Sequence, residues 1–452
     1  METTGLGENA KNMEVEYDNS ARVANSARLL DDYIADAVAY RNKIGKCGDF
    51  DQSYGPKERN KLDLFWPDEK RDAPIAMFIH GGYWQKLDRS AFSHMAKGLN
   101  ERGVAVAIPS YTLCPDTTIS GIIDEIRRAC IILWKTFDKP ITVFGHSAGG
   151  HLAACMLATR WDRIHKMLPA QLVQSALAIS GIYELAPLMQ TSINDALCLT
   201  EDEAKTASPH NWLIEPGQRF DAWVGSIESS EFIRQARTQT QRWRMMGATT
   251  HYREIVQANH FTAIHPLVDP QSDMVKRLLE LMEPAEEPTL ARFDKMTKKA
   301  EKKENKRQKE AKAETGKHEI QDNVSEESPK AANHDESTGI ENVEPPVAPA
   351  NDTPPAAPID VSNEANSQDT DANLQGTSGD DLTKISGIGK VLHARLNELG
   401  FSTFEQLAEL SASDQEMIED VLDFKGRIKR ENWITQARHQ KAIKELAQIS
   451  FD

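Results

Sequence analysis

Strand–helix alternation over residues 1–283 predicts an α/β domain, a mostly parallel sheet flanked by helices, with a small all-α domain following at the C-terminus. Three observations carry this. Apolar runs of strand length recur between amphipathic stretches of helix length. Composition then changes abruptly after residue 283, and apolar periodicity returns from residue 380.

The runs "APIAMFIH" (73–80), "VAVAIPSY" (104–111), "ITVFGH" (141–146), "SALAISG" (175–181) and "FDAWVGS" (220–226) are almost continuously apolar, as strands buried on both faces must be. "THYREIVQA" adds a further strand, and residues 89–102, 119–137, 151–161 and 231–246 have helical character. Residues 1–16 are polar and expected to be disordered, so the folded part is set at 17–283. Residues 284–379 form an expected disordered linker. It contains a Lys-rich run at 295–312 with almost no apolar side chains, read as a solvated face, and then "VEPPVAPANDTPPAAP". Residues 380–452 read as a helix, a turn at Gly387-Ile388-Gly389, a second helix, and a third capped near Ser402.

The net charge of −16 is uneven: residues 314–371 hold fourteen Asp/Glu against two Lys, −12 in that stretch alone. Acidity therefore describes a tail and implies no cationic substrate. The five cysteines, Cys47, Cys114, Cys130, Cys155 and Cys198, form no CxxC pair, which suits a reducing compartment and argues against a zinc cluster. The N-terminus lacks a signal-peptide pattern, and no apolar run approaches the ~18 residues of a membrane helix. A cytoplasmic protein with no membrane contact, no metal and no cofactor is expected.

The chemistry concentrates in two stretches. "VFGHSAGG" (143–150) fits G-x-S-x-G after a strand and before a helix, where a sharp turn exposes the hydroxyl of Ser147 at a helix N-terminus. "FIHGGYW" (78–84) ends a strand on two glycines. An acyl-transfer enzyme needs N–H donors for its oxyanion, each contributing about 2.7–4 kcal/mol. Ala148 would supply one, and Gly81 and Gly82 offer backbone that a carbonyl oxygen can approach. His80 is read as holding this loop. Tyr83 and Trp84 are candidate pocket walls, with the alternative that they are core aromatics. The base should follow a late strand, which selects His260 in "ANHFTAIH" with His265 in reserve; His151 and His251 are less well placed. The orienting acid should follow "FDAWVGS", which selects Glu228 over Asp221, at the wrong end of that strand, and Glu231, at the start of the next helix.

"YGPKERNKLDLFWPDEKRDAPIAMFIHGGYW", "PSYTLCP", "GHSAGGHLAA", "ISGIYELAPLMQTSIN", "GSIESSEFIRQAR" and "ANHF" resemble the serine-dependent kynurenine formamidases of the α/β-hydrolase fold, from about Tyr17 to Met282. HGGYW matches that family's HGGxW motif; Glu228 stands where the family usually has Asp. The resemblance implies hydrolysis of N-formyl-L-kynurenine, a small aromatic formamide, to kynurenine and formate. An aromatic amine side would need a pocket, for which Tyr83, Trp84 and the segment 191–194 with Asn194 are candidates. The rival is a general carboxylesterase of the hormone-sensitive-lipase type, which carries HGGG instead. "ISGIGKVLHARLNELGFSTFEQLAEL" resembles a helix-hairpin-helix domain. Residues 380–452 carry ten Lys/Arg against thirteen Asp/Glu, a poor balance for phosphate binding. Protein docking is the preferred role of this domain and nucleic acid the alternative. A homodimer is left open.

Overall fold

The computed structural model describes residues 13–284, 379–447 and 449. The expected linker at 284–379, apart from its end residues, the Lys-rich run 295–312 and residues 1–12 lie outside the described residues.

Eight strands form one sheet: β1 (Gly48–Ser53), β2 (Lys61–Phe65), β3 (Ile75–Ile79), β4 (Ala105–Pro109), β5 (Ile141–His146), β6 (Val173–Ile179), β7 (Arg219–Gly225) and β8 (Thr249–Ile255). Their order is β1-β2-β4-β3-β5-β6-β7-β8. The pairings β1/β2 and β2/β4 are antiparallel and the rest parallel. Register aligns Ile79 with Gly145, His146 with Ile179, and Gly225 with Ile255. The segments that follow β3, β5, β6, β7 and β8 therefore leave from one edge. Chain order reverses beside β3, and the crevice at such a switch point is where α/β sheets hold their ligands.

Side-chain alternation divides the core in two. Ile75, Met77, Ile79, Ala105, Ile141 and Val143 face one side, and Ala76, Phe78, Val106 and Phe144 the other. The helices α1 (Ser26–Ile44), α2 (Ile119–Phe137), α3 (Ala148–Leu157), α4 (Ser230–Met245) and α5 (Asp273–Met282) cover these faces. Helices α2, α3 and α4 pack on the first, and α1 and α5 on the second.

Several boundaries differ from expectation. Residues 13–16, within the stretch expected to be disordered, are held in place: Glu14 and Glu16 accept hydrogen bonds from Ser192, Ser230 and the Glu231 N–H. Residues 89–96 form a 3₁₀ helix before a short α-turn at 97–100, in place of one helix over 89–102. Helix α3 begins at Ala148, three residues earlier than expected, directly after Ser147. Strands β1 and β2 and helices α1 and α5 were not anticipated. Among the described residues no helix is long and apolar enough to cross a membrane.

The C-terminal part is all-helical: a 3₁₀ turn at Leu382–Lys384, then α6 (Lys390–Glu398), α7 (Phe404–Ala408), α8 (Ala412–Val421) and, after a short turn, α9 (Trp433–Leu446). The first expected helix is only that turn. The cap of α7 is Thr403 in a capping box with Gln406, one residue past Ser402. Leu382, Ile388, Leu396, Leu407, Ile418 and Trp433 build its own core. Helix α9 also packs along α2: Ala442, Leu446 and Ile449 join the first core, His439 Nε2–H donates to Ser53 O at 2.7 Å, and Lys135 pairs with Glu445.

Candidate active site

Strand β5 ends at His146 and α3 starts at Ala148, so the whole direction change falls on Ser147, at φ 57° and ψ −119°. A side chain rarely adopts this backbone, and it persists only where the surroundings enforce it. Here they do. A Cβ on Gly149 would run into Ile79 O, and one on Gly145 into Gly149 O, so helix and strands meet closer than any larger residue allows. The Ser147 N–H donates to Ile179 O at 2.9 Å, tying the elbow to β6. As the first residue of α3, Ala148 has an N–H that no preceding turn can accept, at the positive end of the helix. Gly81 lies against the elbow: a Cβ there would sit 2.9 Å from His146 O and 3.0 Å from Ser147 Cβ. Gly82 has φ +112°, and its missing side chain leaves room for Lys86 O.

Glu228 and His260 meet. His260 Nδ1–H donates to Glu228 Oε2 at 2.7 Å, while Glu228 Oε1 accepts from Ser180 Oγ and from the Gly225 N–H, each at 2.6 Å. With Nδ1 committed as donor, the Nε2 lone pair is the one available to take a proton. The imidazole is positioned by its neighbours. His146 Nε2–H donates to His260 O at 2.8 Å, with ring centroids 4.7 Å apart, and Phe232 lies edge-on at 4.9 Å. Burial, then the neighbouring His260, holds His146 well below the ordinary imidazole pKa, so it stays a neutral donor. Ser147, Glu228 and His260 are only 2%, 8% and 6% exposed.

The other candidates fall elsewhere. Asp221 is buried with Arg277 at 2.8 Å and His251 at 3.6 Å. Glu231 binds Tyr17, Arg234 and Gln235. His265 is exposed beside Tyr33. His151 Nε2–H donates to Ala207 O, a structural bond. His80 is stacked between Tyr111 (4.4 Å) and Phe92 (5.8 Å), and its Nδ1–H donates to Gly81 O at 2.7 Å. It clamps the glycine loop and is wholly buried. Trp84, for which pocket wall and core aromatic were the two readings, is 0% exposed and edge-on to His151 at 5.0 Å; it is a core residue. Tyr83 and Trp84 both have positive φ, 51° and 57°, and this coil turns the indole inward. Asn194 is likewise no free pocket group: its Oδ1 accepts from the Leu199 N–H at 2.7 Å and holds its own loop. Tyr83 is half-buried, with its hydroxyl bound to Tyr17 O and Asn19.

Sequence reasoning passed over Ser180, His146 and Phe232. Ser180 follows β6 at the same edge and has φ 52°, so its place after a buried strand was the available signal.

Residues 62–239 match the family model BD-FAE, and residues 382–441 match the RS2/RL21/YNQ2 HHH domain. A kynurenine formamidase of Danio rerio is 29% identical over 240 residues, 51% of this chain and 81% of that one. The chain is homologous to kynurenine formamidases over half its length and has an α/β-hydrolase fold. A solved structure from Silicibacter sp. tm1040, described as a candidate thioesterase, is similar to this chain at 34% identity. It covers 59% of this chain and 98% of its own, with a TM-score of 0.52. The C-terminal domain is similar to large ribosomal subunit protein bL21 of Jannaschia sp. (strain CCS1), 50% identical over 58 residues. That match spans 13% of this chain and 22% of the ribosomal protein. The chain is thus a hydrolase of the esterase/formamidase type carrying a helix-hairpin-helix domain.

Proposed function

We propose that the chain hydrolyses N-formyl-L-kynurenine to L-kynurenine and formate through a formyl-serine intermediate, a step of tryptophan breakdown. The observation that carries the reading is the Glu228–His260 pair beside an elbow against which Gly81 is packed. The formamidase relatives supply the substrate. Ser147 Oγ attacks the formyl carbon as its proton passes to His260 Nε2. The oxyanion takes hydrogen bonds from the N–H groups of Gly81, Gly82 and Ala148. His260 returns the proton to the arylamine nitrogen, the C–N bond breaks, and kynurenine leaves. Water, activated by the same imidazole, then releases formate from the ester. An anilide suits an esterase-like site because its nitrogen leaves more readily than an alkylamine. The free state of the cysteines supports a reducing, cytoplasmic setting.

Ester hydrolysis is the second reading, favoured by the likeness to the candidate thioesterase. Side-by-side kcat/KM on N-formylkynurenine and p-nitrophenyl acetate, with Ser147→Ala as control, separates the two. Turnover of the ester alone would replace the first reading with the second.

For the C-terminal domain, protein docking is the reading better supported. The space beside Gly387 is taken by the Glu431 carboxylate, which also accepts from Trp433 Nε1 at 3.1 Å, and Arg427 donates to Gly387 O at 3.0 Å. A carboxylate beside the hairpin, with the excess of acid over base in residues 380–452, disfavours an anionic ligand there. A salt-dependent shift of labelled DNA by the full chain would overturn this.

A further inference from the structure

His260 engages one oxygen of Glu228, Oε2, and the other oxygen has a socket of its own. Oε1 accepts from the Ser180 hydroxyl and from the Gly225 N–H, each at 2.6 Å. The turn after β7 brings it there. Glu228 N–H donates to Gly225 O at 3.2 Å, so the side chain folds back over the end of its own strand. Gly225 has to be bare for this: a Cβ would run into Ala258 O and stand 2.9 Å from Oε1.

Ser180 reaches the socket from the end of β6. It is 0% exposed, and its N–H donates to Trp223 O on β7 at 2.7 Å. Its φ is 52°, a region that side chains seldom occupy and glycine occupies freely. Glycine would therefore suit the backbone better and alanine would suit the burial. What serine alone brings is a hydroxyl, and among the described residues that hydroxyl makes one hydrogen bond, to Glu228. A strained residue with a single polar contact points to the contact as the reason for the strain.

The contact has a mechanical effect. The last torsion of a glutamate is soft, so a carboxylate held at one oxygen can rotate away from its partner. Two donors on Oε1 stop that rotation and keep Oε2 in line with His260 Nδ1. Bonds to a charged acceptor are the strong kind, and here they are sheltered from water.

We propose that Ser180 is a positioning residue for the hydrolysis: its hydroxyl fixes the rotation of the Glu228 carboxylate and, through it, the tautomer and aim of His260. The proposal rests on the acyl-transfer reading of Ser147 and His260, though not on the identity of the formamide.

The test uses the full chain with p-nitrophenyl acetate. Ser180→Ala and Ser180→Gly both lack the hydroxyl, but glycine accepts the backbone without strain, so its unfolding midpoint should be the higher of the two. In both, kcat should fall by about 10- to 100-fold with KM changed less than about twofold. A purely structural serine would instead let activity follow stability, and the glycine variant would keep its rate. The second readout is the low-field proton resonance of His260 Nδ1–H, assigned by its loss in His260→Ala; it should move upfield or vanish in both variants. If neither variant folds, Ser180→Cys, which offers only a weak donor, decides by the same measurements. A kcat within about threefold of the native chain, or a resonance that stays in place, overturns the proposal. Acetate hydrolysis that survives Ser147→Ala would defeat the acyl-transfer reading itself, whereas the resonance reports on Ser180 with no substrate present. Hydrolysis of the acetate but not of N-formylkynurenine would defeat the substrate proposal alone.

Discussion

Glu228 accepts three hydrogen bonds, from His260, Ser180 and the Gly225 N–H, and this fixes what it can do. A carboxylate so held orients an imidazole and stabilises its charged form. Glu228→Gln retains the shape but presents an amide to Nδ1, favouring the wrong tautomer. The expected outcome is a fall in kcat of about 10⁴-fold, with the unfolding midpoint little changed. Ser147 and Glu228 could be selected because each follows a buried strand, β5 or β7, and His260 because it comes shortly after the edge strand β8, at the end where side chains of parallel sheets gather. Ser180 has the same position, but serine after a strand is common and its partner lies 48 residues away. Trp84 was open to misreading because adjacency to Gly82 says nothing of where a ring points. Two successive positive φ values decide that, and they come from packing.

At the scale of elements, the elbow depends on α3 approaching β3 without intervening side chains. Gly149→Ala would drive its methyl into Ile79 O, so it should destabilise the fold by about 3 kcal/mol and displace the nucleophile. Gly389→Ala, at a hairpin position with nothing within 4 Å, is the matched control and should unfold like the native chain. Denaturant unfolding of the two variants measures the difference. The central strands were legible from continuous apolarity. Strands β1 and β2 were not, because they carry Asp49, Asp51 and Asp63. These carboxylates become tolerable only once Arg71 reaches Asp49 at 2.7 Å and Arg89 reaches Asp63 at 3.1 Å, pairings made by distant parts of the chain. Helix α9 reads as a module's own helix, and nothing local to it announces the contact with α2.

For the whole molecule, buried neutral histidines set the response to acid. Burial pushes His80, His94 and His151 down to about 4, and His439, which ties α9 to β1, is also lowered by burial. The unfolded chain titrates these groups near 6.5. Between those values the unfolded state binds more protons, so their contribution to stability is complete above pH ~6.5 and is lost as pH falls toward 4. Thermal melts should show Tm dropping through that window. His439→Gln should remove the part that belongs to the C-terminal contact, and a Tm flat from pH 6.5 to 4 would contradict the assignment. Ser147 bears on the same quantity from the other direction. Its backbone conformation is one that glycine adopts freely and serine only under compulsion. The fold is therefore strained at its reactive centre, and the residue that performs the chemistry makes the native state easier to unravel. A copy of this chain that gave up its hydroxyl for a bare glycine would be inert and longer-lived.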